Sequence, residues 1–157
     1  MKSKLLLLVF LFSPILLSAH TLKGKIIRVS DGDTVVVLDS NNTQHRVRLD
    51  GIDCPEKGQP FGTKATNFVK ELTSQSEYVV VEWEKKDRYG RILGVLYVGD
   101  INVNEKLLEN GLAWHYKHFN KDQKLADLEQ QAKDKKLNIW SEKNPIEPYQ
   151  WRKGKRE

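Results

Sequence analysis

The sequence is short of the residues that staple small proteins. Its 157 positions hold one cysteine, Cys54, which excludes an internal disulfide and an all-cysteine zinc site. Five prolines and ten glycines exclude a collagen-like or low-complexity chain. No charge of one sign dominates, with 26 Lys+Arg against 21 Asp+Glu, a formal net charge of +5. A long apolar run is confined to residues 5–17, short of the ~20 residues a membrane-spanning helix needs. What remains is 39% hydrophobic and 30% charged, the balance of a packed single domain whose stability comes from its core.

The apolar run follows Lys2 and Lys4 and ends at the small residues Ser18 and Ala19. Residues 1–19 therefore read as a signal peptide, with an uncleaved anchor as the alternative, and the chain is expected to be secreted or held in the periplasm or cell envelope. Beyond it, β-branched stretches at 24–29, 34–39 and 45–49 are separated by Ser30-Asp31-Gly32 and Ser40-Asn41-Asn42, which are turn sequences. Residues 61–72 change period, placing Phe61, Ala65, Phe68, Val69 and Leu72 on one helical face. Stretches 78–83 and 92–98 predict a hairpin. A short helix is expected from Asn102, with Glu105 closing a capping box and Gly111 as its stop. A longer one is expected over 121–136, capped by Asn120. Residues 145–157 read as an extended basic tail. The layout is α+β, a small antiparallel sheet curling into a barrel.

Two clusters carry chemistry. Asp31-Gly32-Asp33-Thr34 and Arg48-Leu49-Asp50-Gly51-Ile52-Asp53-Cys54-Pro55-Glu56 gather carboxylates at strand ends. Asp33 and Asp53 meeting across adjacent strands would suit calcium or magnesium, which take hard oxygen ligands, with Cys54 offering its backbone carbonyl. Taken singly, each acidic turn is as well explained by local turn chemistry. The second cluster is Asp87-Arg88-Tyr89-Gly90-Arg91, with Arg48 upstream. Guanidinium groups bind two phosphate oxygens at once, and Arg46 and Arg48 alternate with Val47 and Leu49, so one arginine can enter a cleft.

Together with Val103-Asn104-Glu105 and Asn110-Gly111-Leu112-Ala113, these motifs resemble the thermonuclease, or staphylococcal nuclease-like, family over residues 22–141. The resemblance implies a five-stranded OB-fold β-barrel with about three α-helices, forming a catalytic domain over 20–144. It implies an endonuclease hydrolysing phosphodiester bonds of DNA and RNA, with one calcium ion ahead of magnesium and 3′-phosphate products; aromatic side chains near the site favour single-stranded or frayed regions, and nothing in the sequence demands more than a monomer. By position, Asp33, Asp53 and the Cys54 carbonyl match the metal ligands, and Glu56 the residue on the attacking water. Arg48 and Arg91 match the phosphate-binding arginines, Asp31 a residue organising the site, and Arg88, Tyr89 and Tyr116 substrate contacts. Departures are the short 57–60 segment after Glu56 and the surroundings of Tyr116. The alternative is a non-catalytic OB-fold module that binds nucleic acid or peptide, which would be expected to have lost these residues.

Other signals carry less. His115 and His118 lack third and fourth zinc ligands nearby. Trp83 and Trp140 read as packing residues, and Cys54 has no accompanying histidine motif to make it a nucleophile. The basic charge is concentrated at the ends: residues 20–151 hold 20 Lys+Arg and 20 Asp+Glu, whereas 152–157 hold four basic residues and one acid. Local placement of arginines, and not overall charge, is what recommends a phosphate partner.

Overall fold

The stretches rich in Val, Ile and Thr form long strands because alternate side chains can be buried on one face while the pleat exposes the other. The computed structural model describes residues 20–156, so the expected signal segment, 1–19, lies outside the described residues. Along the chain come β1 (His20–Asp31), β2 (Thr34–Asp39), β3 (Gln44–Leu49), a short β4 (Ile52–Asp53), α1 (Gly62–Ser74), β5 (Val79–Lys86) and β6 (Ile92–Val98). There follow β7 (Ile101–Asn102), α2 (Val103–Glu109), β8 (Trp114–His115), α3 (Gln123–Asp134), a 3-10 turn (Asn138–Ser141) and α4 (Pro148–Arg152).

Five strands make a closed barrel in the order β3-β2-β1-β5-β6. The neighbours are antiparallel, and closure comes from a parallel seam between β3 and β6, with Val47 opposite Ile92, Arg48 opposite Leu93 and Leu49 opposite Gly94. β1 serves two neighbours by bending: its first half pairs with β5 and its second with β2, and the register slips between Ile26 and Arg28. Val35, Val37, Val47, Leu49, Val81, Ile92 and Leu96 belong to the buried core, and α1 and α2 add Ala65, Val69, Leu107 and Leu108. Burying a Val, Leu or Ile side chain contributes about 1.5–3 kcal/mol, and with no covalent staple this burial is the main favourable term.

Asn104, buried at the start of α2, fastens the seam. Its Oδ1 accepts from Leu96 N at 3.1 Å, and its Nδ2 donates to Asp50 O at 2.9 Å and Gly94 O at 3.3 Å. At the N-terminus of α2, Asn102 and Glu105 pair as expected, although Glu105 bonds the Asn102 side chain at 2.9 Å in place of its backbone amide. α3 is capped by Asp122, not Asn120, because the Asn120 side chain accepts from Asp122 N at 2.8 Å and contacts His115 Nε2 at 3.2 Å. A second, smaller core joins Ala132, Ile139 and Trp140 with Trp114, whose ring meets Trp140 edge-on at 4.4 Å. Trp83 packs partly buried against the main core. The segment read as an extended tail instead contains α4, a single turn with Pro148 at its start, and it lies back against the domain.

Candidate active site

The turn between β1 and β2 holds the first carboxylates. Asp31 Oδ1 accepts from the backbone amide of Asp33 at 3.1 Å, which fixes the turn and aims Asp33 inward. Gly32 sits so close to Cys54 and Ala65 that an added Cβ would lie 2.8 Å from each of their Cβ atoms. The turn can therefore press against the strand that follows β3. Asp33 Oδ2 accepts from Cys54 N at 2.6 Å, while Thr34 Oγ1 lies 3.2 Å from Asp33 Oδ1. Asp53, on β4, is 2% exposed.

Arg48 joins the two acids. From β3 its Nη1 reaches Asp33 Oδ2 at 3.2 Å and its Nη2 reaches Asp53 Oδ1 at 2.8 Å. Nη1 also donates to the carbonyls of Leu49 and Ile52, both at 2.9 Å, so the guanidinium is locked by backbone as well as by charge. Burial disfavours its charge, but Asp33 and Asp53 more than offset this and keep its pKa above the ordinary value. Burial pushes Asp33 up to about 7; Arg48 opposes the rise, and Asp31 and Asp53 add to it.

The hairpin between β5 and β6 presents the second arginine. Asp87 organises it: Oδ1 accepts from the amides of Tyr89 and Arg91, both at 2.9 Å, and Oδ2 accepts from Arg91 Nε at 2.7 Å. Burial raises the Asp87 pKa, but the bonds from Arg91 and Tyr89 outweigh it and hold the carboxyl below its usual value. With Nε spent on Asp87, the terminal nitrogens of Arg91 remain to face a ligand. Arg48, Arg88, Tyr89, Arg91 and Tyr116 line one open groove of about 470 Å³. Tyr89 is 69% exposed, with the Arg88 guanidinium 4.8 Å from its ring centre, an arrangement suited to stacking on an unpaired base.

Glu56 stands at the rim, its side chain 39% exposed. The short segment after it is braced by Gln59, whose amide donates to Glu56 O at 2.9 Å and whose Oε1 accepts from Glu56 N at 3.2 Å. Two site features escaped the sequence reading. One is the hold of Asp87, named there only as part of its cluster, on Arg91. The other is Arg152 of α4, whose Nη2 lies 2.9 Å from Asp53 Oδ2 and whose Nη1 lies 3.2 Å from Asp53 Oδ1 and 2.8 Å from Glu56 Oε1. The Glu129 carboxylate, on the buried face of α3, shapes the neighbouring wall: it accepts from His115 N at 3.0 Å, Lys117 Nζ at 2.7 Å and Lys133 Nζ at 2.8 Å. His115 and His118 belong to that wall, the His118 ring tilted against Tyr149 with centroids 5.4 Å apart.

The donor set fits a hard divalent cation. Asp33, Asp53 and Glu56 outnumber the two guanidiniums that touch them, with Asp31 a further acid alongside, and a bound cation would hold Asp33 ionised at neutral pH. Among the described residues no three His, Cys, Asp or Glu side chains gather around a single point, so a cation there would take two carboxylates and complete its shell with carbonyl and water oxygens.

A family model described as "Staphylococcal nuclease homologue" matches residues 46–142. An "Uncharacterized endonuclease" of Escherichia coli is 40% identical over 153 residues, spanning 97% of this chain and 98% of the relative. A "Micrococcal nuclease" of Shigella flexneri is 39% identical over 142 residues, 83% of this chain and 80% of the relative. A Haemophilus influenzae "Uncharacterized endonuclease" is 38% identical over 129 residues, 82% and 72% respectively. With the barrel, the paired acids and the facing arginines in place, the chain belongs to the staphylococcal nuclease-like family of nucleases.

Proposed function

We propose that the protein is an exported, calcium-dependent endonuclease that hydrolyses DNA and RNA, preferring single-stranded or frayed regions, and leaves 3′-phosphate ends. The observation that carries the reading is Arg48 bridging Asp33 and Asp53 at the end of a groove shared with Arg91 and Tyr89. Asp33, Asp53 and the Cys54 carbonyl would hold the cation, which supplies positive charge against a phosphate oxygen. Arg48 and Arg91 bind the remaining phosphoryl oxygens and stabilise the charge that grows there. Glu56, at the rim, orients a water toward phosphorus and takes its proton. Tyr89 and Tyr116, assisted by Arg88, receive an unstacked base, which favours substrates whose bases are already free. Retention of all these side chains speaks against a non-catalytic binding module. One chain supplies the whole site, in keeping with a monomer, and residues 1–19 would direct export.

The test is cleavage of heat-denatured DNA and of RNA by the purified protein with calcium, with magnesium and with chelator, the product ends typed by phosphatase-dependent labelling. Glu56→Gln and Arg91→Ala should each lower turnover by about 10²-fold or more while melting like the parent. Undiminished activity in chelator, or near-parental turnover in either variant, overturns the assignment.

A further inference from the structure

We propose that residues 145–156 form a strap whose Arg152 plugs the acidic site, so that docking of the strap and binding of a divalent cation exclude one another; this rests on the cation-dependent reading above. Arg152 is itself exposed, but it reaches inward to the buried Asp53. Its guanidinium takes both oxygens of Asp53, at 3.2 and 2.9 Å, and Glu56 Oε1 at 2.8 Å, so it sits on one proposed cation ligand and on the proposed water-orienting residue at once. Asp53 Oδ1 is then shared between Arg48 and Arg152, and Oδ2 is taken by Arg152. A cation bound to Asp53 would need the electron pairs that Arg152 occupies, and it would face a fixed positive charge a few ångströms away. An arginine guanidinium stays charged at any relevant pH, so the plug cannot leave by deprotonation.

The rest of the strap is built to dock. Gln59, which braces the Glu56 loop, donates from Nε2 to Ile146 O at 2.6 Å, tying the strap to that loop. Trp151 faces Pro55, Pro60, Phe61 and Ile139 across a cavity of about 240 Å³, and the Tyr149 ring meets His118 at a tilt, centroids 5.4 Å apart. Yet the strap is easily released: α4 is only five residues long, and positions 152–156 are exposed. Arg152 also lies ten residues beyond the stretch matched by the family model.

The experiment compares calcium affinity, by isothermal titration at low salt, among the full-length protein, Arg152→Gln and Trp151→Ala. The second variant loosens the strap without touching a carboxylate. Both should bind calcium at least about tenfold more tightly than the parent, the ratio that 1.4 kcal/mol of lost competition gives. Hydrogen exchange of the peptide covering 145–156 should speed up when the parent is saturated with calcium. Equal or weaker affinity in both variants, or strap exchange unchanged at saturation, overturns the plug while leaving the cation site standing. Absence of calcium binding in parent and variants alike overturns the cation reading and the plug with it.

Discussion

Gly62→Ala tests whether the position of Glu56 limits turnover. Gly62 opens α1, and an added methyl would lie 1.9 Å from Glu56 O, 2.6 Å from Glu56 C and 3.0 Å from Pro55 O. Reaching even the 3.0 Å floor of real contacts requires the two backbones to part by 1.1 Å. The helix does not yield, because Ala65 and Val69 anchor it at zero exposure, whereas the Glu56 loop is at the surface. The loop therefore moves and carries the carboxylate with it. A shift of about 1 Å in a reacting group costs roughly 10²-fold in rate. Stability should change less, since alanine within a helix gains about 0.5–1 kcal/mol over glycine and offsets part of the strain. Gly58→Ala is the matched control: it lies in the same loop, and its added Cβ would meet nothing within 4 Å. Initial rates on heat-denatured DNA with calcium, alongside thermal melts, should show Gly62→Ala down about 100-fold and Gly58→Ala unchanged. A folded Gly62→Ala protein within threefold of the parent would refute the reasoning.

The buried Glu129 should give the fold an acid-sensitive component. Burial raises its pKa, but bonds from Lys117, Lys133 and His115 N outweigh that and leave it below 4.5 in the folded chain. The unfolded chain thus takes up the proton first as pH falls, and the stabilisation, complete above about pH 4.5, is lost through the folded pKa. Glu129→Gln should cost about 1–3 kcal/mol in urea unfolding at pH 7 and progressively less toward pH 3; a gap that does not change with pH would contradict this. Asn104→Ala strands Leu96 N–H and removes a donor from Asp50 O and Gly94 O, so it should destabilise by about 2–4 kcal/mol by the same measurement. A loss under 1 kcal/mol would show that water replaces those bonds.

Local periodicity carried most of the fold. Val47 and Leu49 alternating with Arg46 and Arg48 foretold which face turns inward, and the burial of β3 follows that alternation. The Phe61, Ala65, Phe68, Val69 and Leu72 face of α1 packs on the core as its spacing implied. The arginines and acids of the site could be gathered from their motifs because each is placed by a turn within a few residues of a strand end. Arg152 could not: its bonds to Asp53 span 99 residues, and nothing within a Lys/Arg-rich segment marks one guanidinium as paired with a buried acid. Glu129 did leave a signal, since it falls four residues after Leu125 and three before Ala132, on the apolar stripe itself. Asp87 was hidden by ambiguity, because an acid opening a hairpin turn has the same local pattern whether it serves the turn alone or also holds Arg91.

The parallel seam between β3 and β6 has a kinetic consequence. It is three residue pairs long and joins positions 45 apart, such as Val47 and Ile92, whereas the hairpins on either side close over far shorter loops. Contacts of that separation form late, after the loop entropy has been offset by local pairing. Arg48 lies in the seam, and Arg91 directly precedes its first β6 partner, so the two guanidiniums face one groove only once the barrel shuts. The two guanidiniums are thus brought together only by long-range pairing, and a nascent or half-folded chain carries the separate arginines without the groove they share.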